Sequence, residues 1–328
     1  MKILVTGGLG FIGSNFISNL LKESNDFEIV NVDAELYGSN KGNLFEIQDN
    51  KKYEIVKANI TNRPFMEKII TKCDAVVNFA AESFVDRSIS DANPFLVSNV
   101  RGAFTILDII TKQKKRMIQI STDEVFGSLS SGTATEETKM NPSSPYAATK
   151  AAAELLINSY HVTYDSDVII TRCTNNYGPK QFLEKLIPKT IVLAKQGKKI
   201  PIYGKGTNIR DWIYVDDHCN GVLLSLLDGK AGQSYNISGN NEMDNITIVK
   251  RILDIMGKSE DLIEFVEDRP GHDYRYSMNS SKISKEMGWK SKTSFDEGIQ
   301  KTVDWYLNHE EIWKDLTPNA LNPTPWKN

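Results

Sequence analysis

The chain has 328 residues, of which 40% are hydrophobic and 25% are charged, and its formal net charge is −3. That length is enough for one large domain or two ordinary ones, and the composition is typical of a globular protein. The charge balance offers no basic surface for nucleic acid, and no run of eighteen apolar residues predicts a membrane span.

Cysteine and histidine usage argues against disulfides and metals. Cys73, Cys173 and Cys219 are odd in number and lack paired spacing, so we expect reduced thiols. The four histidines are far apart, with no HExxH or CxxC pattern, so we predict no metal site. Because a strand is predicted from the second residue, there is no room for a signal peptide, and we expect a cytoplasmic protein.

The first predicted element is a strand over residues 2–6, which runs directly into Gly7, Gly10 and Gly13. An amphipathic run at helical spacing follows. This combination suits a pyrophosphate. The first glycine permits a tight turn, the second lets the backbone approach the phosphates, and the third lets the helix pack on the strand. We therefore predict a dinucleotide site at this turn.

Asp33 ends the second predicted strand, residues 28–33, twenty residues beyond Gly13. A carboxylate there can accept hydrogen bonds from both ribose hydroxyls of adenosine and would repel a 2′-phosphate. This favours NAD over NADP. The alternative is that Asp33 is a strand-end or turn aspartate.

The first half of the chain alternates strands with helices. Further strands are predicted at 53–57, 75–80, 117–121 and 167–172, and helical spacing occurs at 62–71, 94–111 and 145–161. This alternation predicts an α/β fold with a doubly wound parallel sheet, whose ligands bind beyond the carboxyl ends of the strands.

Beyond residue 175 the pattern loosens into turn-rich segments and short helices, which predicts a smaller α/β C-terminal lobe over the carboxyl edge of the sheet. Strand character returns at 211–215 and 233–237, which suggests that the chain revisits the first domain. We therefore expect an NAD-binding domain of residues 1–175 plus about 210–240. Residues of about 176–209 and 241–328 would form the second lobe.

Two motifs carry the chemistry, one directly after a predicted strand and one on a predicted helix. Thr122, Asp123 and Glu124 come after the strand at 117–121, and Tyr146 and Lys150 stand four residues apart. The latter pair shares one helix face, and the ammonium, with a cationic nicotinamide, would lower the tyrosine pKa toward working pH. The tyrosine could then take a proton from a substrate hydroxyl as hydride leaves its carbon. Two adjacent carboxyls can act as an acid and a base, which suits elimination of water beside a carbonyl.

These parts together resemble the short-chain dehydrogenase/reductase superfamily in its extended form. Motifs across nearly the whole chain are similar to those of the dTDP-glucose 4,6-dehydratases, a family of NDP-sugar dehydratases. The motifs are Ala80-Ala-Glu-Ser-Phe-Val-Asp-Arg-Ser-Ile89, Thr122-Asp-Glu124, Arg172-Cys-Thr-Asn-Asn-Tyr-Gly-Pro179, Glu184-Lys-Leu-Ile-Pro188, Asn208-Ile-Arg-Asp-Trp212, Tyr235-Asn-Ile-Ser-Gly-Asn-Asn-Glu242 and Asp268-Arg-Pro-Gly-His-Asp273.

The resemblance implies two sets of binding residues. The predicted NAD contacts are Gly7, Gly10, Phe11, Ile12, Gly13, Asp33, Asn59, Ile60, Ala80, Ala81, Asn99, Tyr146 and Lys150. The predicted nucleotide-sugar contacts are Ser83, Asn175, Asn176, Glu184, Lys185, Leu186, Pro201, Tyr203, Arg210, Asn245, Arg269 and His272.

Simpler roles remain open for four of these residues. Arg210 could pair with Asp211 at the surface, and Arg269 could pair with Asp268. His272 could be a turn residue. Tyr203 could be a packed core residue rather than a stacking partner for the base.

The family reaction implies a role for each catalytic residue. Tyr146 would remove the C4 hydroxyl proton while NAD takes the C4 hydride, assisted by Lys150 and Thr122. Glu124 would abstract the C5 proton, which the C4 ketone acidifies, and Asp123 would protonate the departing C6 hydroxyl. Return of hydride to C6 would give a 4-keto-6-deoxy sugar.

Departures from the family pattern bear on the substrate rather than on the reaction. Phe84 stands where histidine is usual, Asn59 where aspartate is usual, Phe126 where tyrosine is usual and Lys180 where an aromatic residue is common. They leave open a 4,6-dehydratase of a UDP-, CDP- or GDP-linked sugar. An NDP-sugar epimerase or decarboxylase, and a non-catalytic NAD-binding protein, fit the intact catalytic residues less well.

The family also implies a homodimer formed through two long helices of each subunit. Here these would be residues 94–113 and 146–160, which are rich in Ala, Ile and Leu. Apolar residues on more than one face of each helix suit burial on two sides. Packing within a single chain is the alternative.

Overall fold

The computed structural model describes residues 1–316 and 320–327. Its strands are β1 Lys2–Thr6, β2 Glu28–Asp33, β3 Tyr53–Lys57, β4 Ala75–Asn78, β5 Arg116–Thr122, β6 Val168–Cys173, β7 Asn175–Tyr177, β8 Ile200–Tyr203, β9 Ile209–Tyr214, β10 Ser234–Ile237, β11 Glu242–Asp244 and β12 Ile263–Val266.

The α-helices are α1 Phe11–Glu23, α2 Arg63–Thr71, α3 Val85–Ser90, α4 Asn93–Phe95, α5 Ala103–Gln113, α6 Pro145–Tyr164, α7 Leu186–Lys195, α8 Val215–Asp228, α9 Asn245–Ile255, α10 Ser281–Met287, α11 Phe295–Asn308 and α12 Glu310–Trp313. Short 3₁₀ turns cover Lys41–Ile47, Asp123–Phe126, Glu260–Leu262, Lys314–Leu316 and Pro325–Lys327. Among the described residues no helix is both long enough and apolar enough to span a bilayer.

Seven parallel strands form the main sheet, in the order β10-β6-β5-β4-β1-β2-β3. Side chains alternate between its faces, so Ile3 and Val5 pack into one apolar cluster and Leu4 into the other. Burial on both faces explains why these strands are almost continuously apolar. The strand order reverses between β1 and β4, which is where such sheets bind ligands. The predicted doubly wound parallel sheet is confirmed.

The second lobe contains a three-stranded sheet, β11-β9-β7, and a two-stranded sheet, β12-β8. Of the two predicted returns, only 233–237 joins the main sheet, as β10 beside β6. The segment at 211–215 forms most of β9, which pairs with β7 and β11 instead. Its side chains still reach both cores, because Ile213 packs beneath the main sheet while Trp212 packs in the lobe.

The segment predicted as one helix at 94–111 is not α-helical throughout. Leu96–Gly102 forms a π-helical segment between α4 and α5. A side chain at Gly102 would collide with Ile60, since an added Cβ would lie 2.4 Å from the Ile60 Cδ1. π-helical segments of this kind are frequent at functional sites.

Candidate active site

A cavity lies at the carboxyl edge of the sheet, where the strand order reverses. Gly7 has φ +71°, and a Cβ there would lie 2.6 Å from the Ala80 nitrogen. A Cβ at Gly13 would lie 2.5 Å from the Gly7 oxygen. Both glycines are therefore required by close backbone approach. Strand β4 ends at Asn78, two residues earlier than predicted, and this allows the chain to pass beside the glycine turn.

Of the thirteen predicted NAD contacts, all but Asn99 line this cavity. The Asn99 amide lies behind the wall, where its oxygen accepts from the Glu82 nitrogen at 2.8 Å and its nitrogen donates to the Glu82 oxygen at 3.0 Å. It also donates to the Thr149 hydroxyl. Asn99 thus supports the loop after β4, while Ser98 from the same π-helical segment faces the cavity.

Asp33 is almost fully buried at the far end of the cavity and already has three protein donors. Its carboxylate accepts from the Leu9 nitrogen at 3.0 Å, the Glu35 nitrogen at 2.8 Å and the Ser39 hydroxyl at 2.9 Å. Asp33 therefore holds the local loops in place, which is what we would expect of a strand-end or turn aspartate. It also lines the cavity, and a carboxylate has about four acceptor positions, so capacity remains for a ribose hydroxyl.

The catalytic motifs meet on the sheet side of the same cavity. β5 delivers Thr122, whose hydroxyl accepts from the Glu124 nitrogen at 3.2 Å and begins the short 3₁₀ turn. α6 begins with Pro145 in its first turn and with the Ser144 hydroxyl accepting from the Ala147 nitrogen. This start places Tyr146 and Lys150 on the cavity wall with Thr122, Asp123 and Glu124.

Burial sets the protonation of the two carboxyls. It raises the pKa of Asp123 well above its ordinary value, and the neighbouring Glu124 charge raises it further. Burial also raises the pKa of Glu124, but Arg269, Lys185 and Arg210 oppose that rise. The two environments thus favour Asp123 as the protonated member and Glu124 as the ionised one. One oxygen of each carboxyl is buried without a partner among the described residues.

The expected lowering of the Tyr146 pKa is wrong for the protein alone. Burial raises this pKa well above its ordinary value, and the Glu124 charge adds to the rise. Lys150 is itself buried, which lowers its pKa to about 8, and its ammonium donates to the Ile120 oxygen at 2.6 Å. The prediction left out the cost of burying a phenolate.

A second cavity adjoins the first and opens into the smaller lobe. Eleven of the twelve predicted nucleotide-sugar contacts line it. The exception, Ser83, lines the first cavity, and its carbonyl oxygen accepts from the Lys185 ammonium at 2.8 Å. The residues common to both walls are Phe84, Glu124, Asn175, Asn176, Gln181 and Lys185. A ligand in the second cavity would therefore reach Glu124, the catalytic carboxyl that lines both cavities.

The two arginines of this second cavity carry charge that the protein only partly neutralises. Arg210 forms no ion pair with Asp211 in the described structure; its guanidinium donates to the backbone oxygens of Ile209, Asp273 and Tyr274. Arg269 pairs with Asp86 at 3.0 Å rather than with Asp268, and its Nε is buried without a partner among the described residues. Neither arginine forms the ion pair that its simpler role required. A bound anion would supply the missing charge partner.

Tyr203 and His272 stand at the outer end of the second cavity. The Tyr203 hydroxyl donates to Asp86 at 2.9 Å, and its ring meets the Trp326 ring edge-on with centroids 4.8 Å apart. The His272 Nδ1 lies 2.6 Å from Asp268, so this histidine does hold its turn. Burial, with Arg269 and Arg210 nearby, lowers the His272 pKa to about 4. His272 is therefore neutral near pH 7.

Glu184 faces the second cavity, but its carboxylate is occupied. It accepts from the Arg87 guanidinium at 3.0 and 2.8 Å and from the Tyr37 hydroxyl. The same guanidinium lies 3.6 Å from the centroid of the Tyr37 ring. Glu184 thus ties the loop after β2 to the smaller lobe, and in this state it would not serve as a direct ligand for a diphosphate.

Comparisons with known proteins agree with this arrangement. A family model described as GDP-mannose 4,6 dehydratase matches residues 4–302. The low-salt glycan biosynthesis protein Agl12 of Haloferax volcanii is 46% identical, over 95% of this chain and 100% of its own. The dTDP-glucose 4,6-dehydratase of Haemophilus influenzae is 44% identical, over 94% of this chain and 98% of its own. This chain belongs to the dTDP-glucose 4,6-dehydratase family.

The solved structures extend the family relationship to three dimensions. The dTDP-glucose 4,6-dehydratase of Bacillus anthracis in complex with NAD matches with a TM-score of 0.91 at 45% identity. The match covers 97% of this chain and 100% of that one. The extended dehydrogenase/reductase fold expected from the sequence is therefore confirmed over nearly the whole chain.

The four departures from the dehydratase family pattern are all accommodated locally. Phe84 joins Tyr37 and Phe182 in an aromatic cluster on the cavity wall, with ring centroids 4.9–5.5 Å apart. The Asn59 oxygen accepts from the Thr61 nitrogen and hydroxyl. Phe126 lies below the Arg172 guanidinium, and Lys180, at φ +70°, donates to the Ser18 hydroxyl. Only Phe84 and Asn59 line a cavity.

Several residues of the dehydratase site were not predicted from the sequence. They are Tyr37, Asp86, Arg87, Ser98, Gln181, Phe182, Lys189 and Tyr276, all of which line a cavity or bind a lining residue. Asp86 and Arg87 lie inside a quoted family motif, so that motif could have revealed them. Tyr37 follows Asp33 by four residues, but nothing local indicates that its hydroxyl reaches Glu184.

Proposed function

We propose that this chain is an NAD-dependent dTDP-glucose 4,6-dehydratase that makes dTDP-4-keto-6-deoxyglucose. The observation that carries the proposal is that Tyr146, Asp123 and Glu124 line one wall of the first cavity and that Glu124 also lines the second. Buried carboxyl oxygens without partners are costly, so their presence there supports a site that a polar substrate completes. The named dehydratases at 40% identity or more support the choice of reaction.

The chain's own groups supply the proton transfers. Tyr146, next to Thr122, takes the proton of the C4 hydroxyl. The positive charge of bound NAD would offset the burial that raises the Tyr146 pKa in the protein alone. Glu124 removes the C5 proton, because the cations around it favour its ionised form. Asp123 holds a proton and gives it to the departing C6 hydroxyl. Neighbouring acids with opposite protonation states are what this elimination requires.

The first cavity fits NAD by its own features. Gly7 and Gly13 leave space that a Cβ would fill, and the Asp33 carboxylate at the far end favours a free ribose 2′-hydroxyl. When bound, NAD would accept hydride from C4 and return it to C6, and Glu124 would then return a proton to C5. We assign the cofactor domain to residues 1–175 with about 210–240, and the nucleotide-sugar lobe to about 176–209 and 241–328. Strand β9 joins the two, since it pairs within the lobe and its Arg210 lines the second cavity.

The proposal is tested by incubating the purified protein with dTDP-glucose. We expect a product with the alkali-induced ultraviolet absorbance of a 4-keto sugar and no net formation of NADH. The same assay on UDP-, CDP- and GDP-linked hexoses should show weaker turnover. Absence of keto sugar from dTDP-glucose, with protein that contains NAD, would refute the proposed substrate.

We further propose that the active form is a cytoplasmic homodimer. The helices at 94–113 and 146–160, with the end of α6, expose apolar side chains, namely Leu96, Phe104, Leu155, Val162 and Tyr164. Phe104 and Tyr160 meet across the two helices with ring centroids 6.2 Å apart, so the helices form a continuous face. Three unpaired buried cysteines suit a reducing compartment, which also supplies nucleotide sugars and NAD.

A further inference from the structure

His218 is a buried histidine that the proposed reaction does not use. It lies in the first half of α8 and is completely inaccessible to solvent. Its Nδ1 is 2.9 Å from the Asn176 Oδ1, whereas its Nε2 has no partner among the described residues. A buried polar side chain with a single contact to a cavity residue requires an explanation.

The contact between His218 and Asn176 determines which ring nitrogen of His218 carries the hydrogen. Burial lowers the His218 pKa to about 3, so the ring is neutral near pH 7 and carries one N–H. A carbonyl oxygen only accepts, so the hydrogen is on Nδ1 and His218 donates to Asn176. Nε2 is then left as a buried acceptor that has no partner among the described residues.

Asn176 lies in β7 and lines both cavities. Its amide nitrogen donates to the Thr174 oxygen at 3.0 Å, which uses one of its two hydrogens. With the oxygen held by His218, the amide cannot rotate by 180° without losing both contacts. The second N–H therefore stays available to an acceptor in the cavity, and the oxygen points into the protein.

We propose that His218 is a positioning residue that orients the Asn176 amide so that a nitrogen, not an oxygen, faces the diphosphate of the nucleotide sugar. The inference rests on the proposed function. A reversed amide would turn a partially negative oxygen toward the phosphates and replace an attraction by a repulsion. Lys185, which lines the same wall, supplies charge but no such directional contact.

The matched variants are His218→Asn and His218→Leu. The Asn side chain can place an N–H close to the position of Nδ1, whereas Leu has no donor. We expect His218→Leu to raise the KM for dTDP-glucose and the Kd for dTDP roughly tenfold, with kcat within about threefold of wild type. His218→Asn should recover most of the loss, and the Kd for thymidine, which has no phosphate, should not change in either variant.

A double-mutant cycle with Asn176→Ala separates positioning from general damage to the fold. In the Asn176→Ala background, His218→Leu should cost little more affinity for dTDP. Val222→Ala, one turn further along α8 and fully buried, controls for loosening of that helix and should leave the Kd for dTDP unchanged. Melting temperature and bound NAD are recorded for each variant.

The outcomes distinguish failure of the proposed function from failure of the role proposed for His218. Wild-type protein that does not bind dTDP would refute the proposed function itself. Wild-type binding with an unchanged Kd in a folded His218→Leu variant would refute the role of His218. Equal losses for dTDP and thymidine, or additive losses in the double mutant, would also refute it.

Discussion

Glu124 is the residue on which the elimination depends most directly. Glu124→Gln keeps the size and the neighbours of the side chain but removes the base. We expect C4 oxidation to persist while exchange of the C5 hydrogen with solvent falls at least about a hundredfold. The measurement is deuterium incorporation at C5 in D₂O. Undiminished exchange would mean that another group is the base.

Asp123 illustrates a cost in stability that function imposes. Because burial raises its pKa, the folded state retains a proton that the unfolded chain releases above its ordinary value of 3.8. Stability therefore falls as pH rises from 3.8 toward the raised pKa, by up to about 1.4 kcal/mol per pH unit. Asparagine does not titrate. We expect Asp123→Asn to lose dehydration activity and to melt higher than wild type at pH 7–8.

The pH dependence of the melting temperature tests whether ionisation of Asp123 causes the difference in stability. The advantage of Asp123→Asn in melting temperature should grow between pH 4 and pH 7 and should vanish near pH 4. Asp49→Asn, at an exposed position, is the control and should show no such trend. An advantage of constant size across this range would attribute the effect to packing rather than to ionisation.

At the scale of elements, the turn between β1 and α1 allows steric collision to be separated from backbone strain. Gly7 and Gly132 have almost the same positive φ, +71° and +70°, but only Gly7 has neighbours within reach of a Cβ. Both alanine variants carry the backbone penalty of roughly 1–2 kcal/mol that an L-residue pays in the left-handed region. Gly7→Ala alone would push apart β1 and the loop after β4.

We therefore expect Gly7→Ala to be purified with little NAD, whereas Gly132→Ala retains the wild-type content. The cofactor is measured by its absorbance after acid release, and circular dichroism confirms that both variants fold. Full NAD occupancy in Gly7→Ala would show that the glycine turn tolerates displacement. NAD binding would then not require the close approach of Gly7 to Ala80.

Elements near the chemistry were the most predictable part of the fold. The glycine turn, Asp33, the Thr122–Glu124 motif and the Tyr146 helix combine local sequence rules with a fixed place on a parallel sheet, and the structure brings them together. The fold class followed from strand and helix alternation alone. What these residues do to one another was less predictable, as the raised pKa of Tyr146 shows.

Contacts between distant segments were not predictable. The Glu184 carboxylate is occupied by Tyr37, far away in sequence, and β9 pairs outside the main sheet although its apolar pattern resembles that of a sheet strand. Ile60 approaches Gly102, at the end of the π-helical segment, too closely for any side chain to be placed there. Each of these outcomes is decided by packing between segments, about which a single sequence carries no local signal.

At the scale of the whole molecule, the exposed helix face predicts association of two chains. Leu155 is 63% exposed on α6, and we expect Leu155→Glu to shift the protein from dimer to monomer because burying an unpaired carboxylate is costly. Light scattering coupled to size exclusion measures the change.

Phe265→Glu is the control, because Phe265 is 60% exposed on β12, outside this helix pair. It should leave the molar mass unchanged. A monomeric wild-type protein, or a Leu155→Glu variant that remains dimeric, would contradict the proposed interface.

The wall shared by the two cavities has a consequence for how the two ligands affect each other. Glu124 and Lys185 line both cavities, so a dinucleotide in the first and a sugar in the second would share these neighbours. Such coupling is reciprocal, because both effects express the same free energy. Whatever factor NAD contributes to the affinity for dTDP, dTDP contributes to the affinity for NAD.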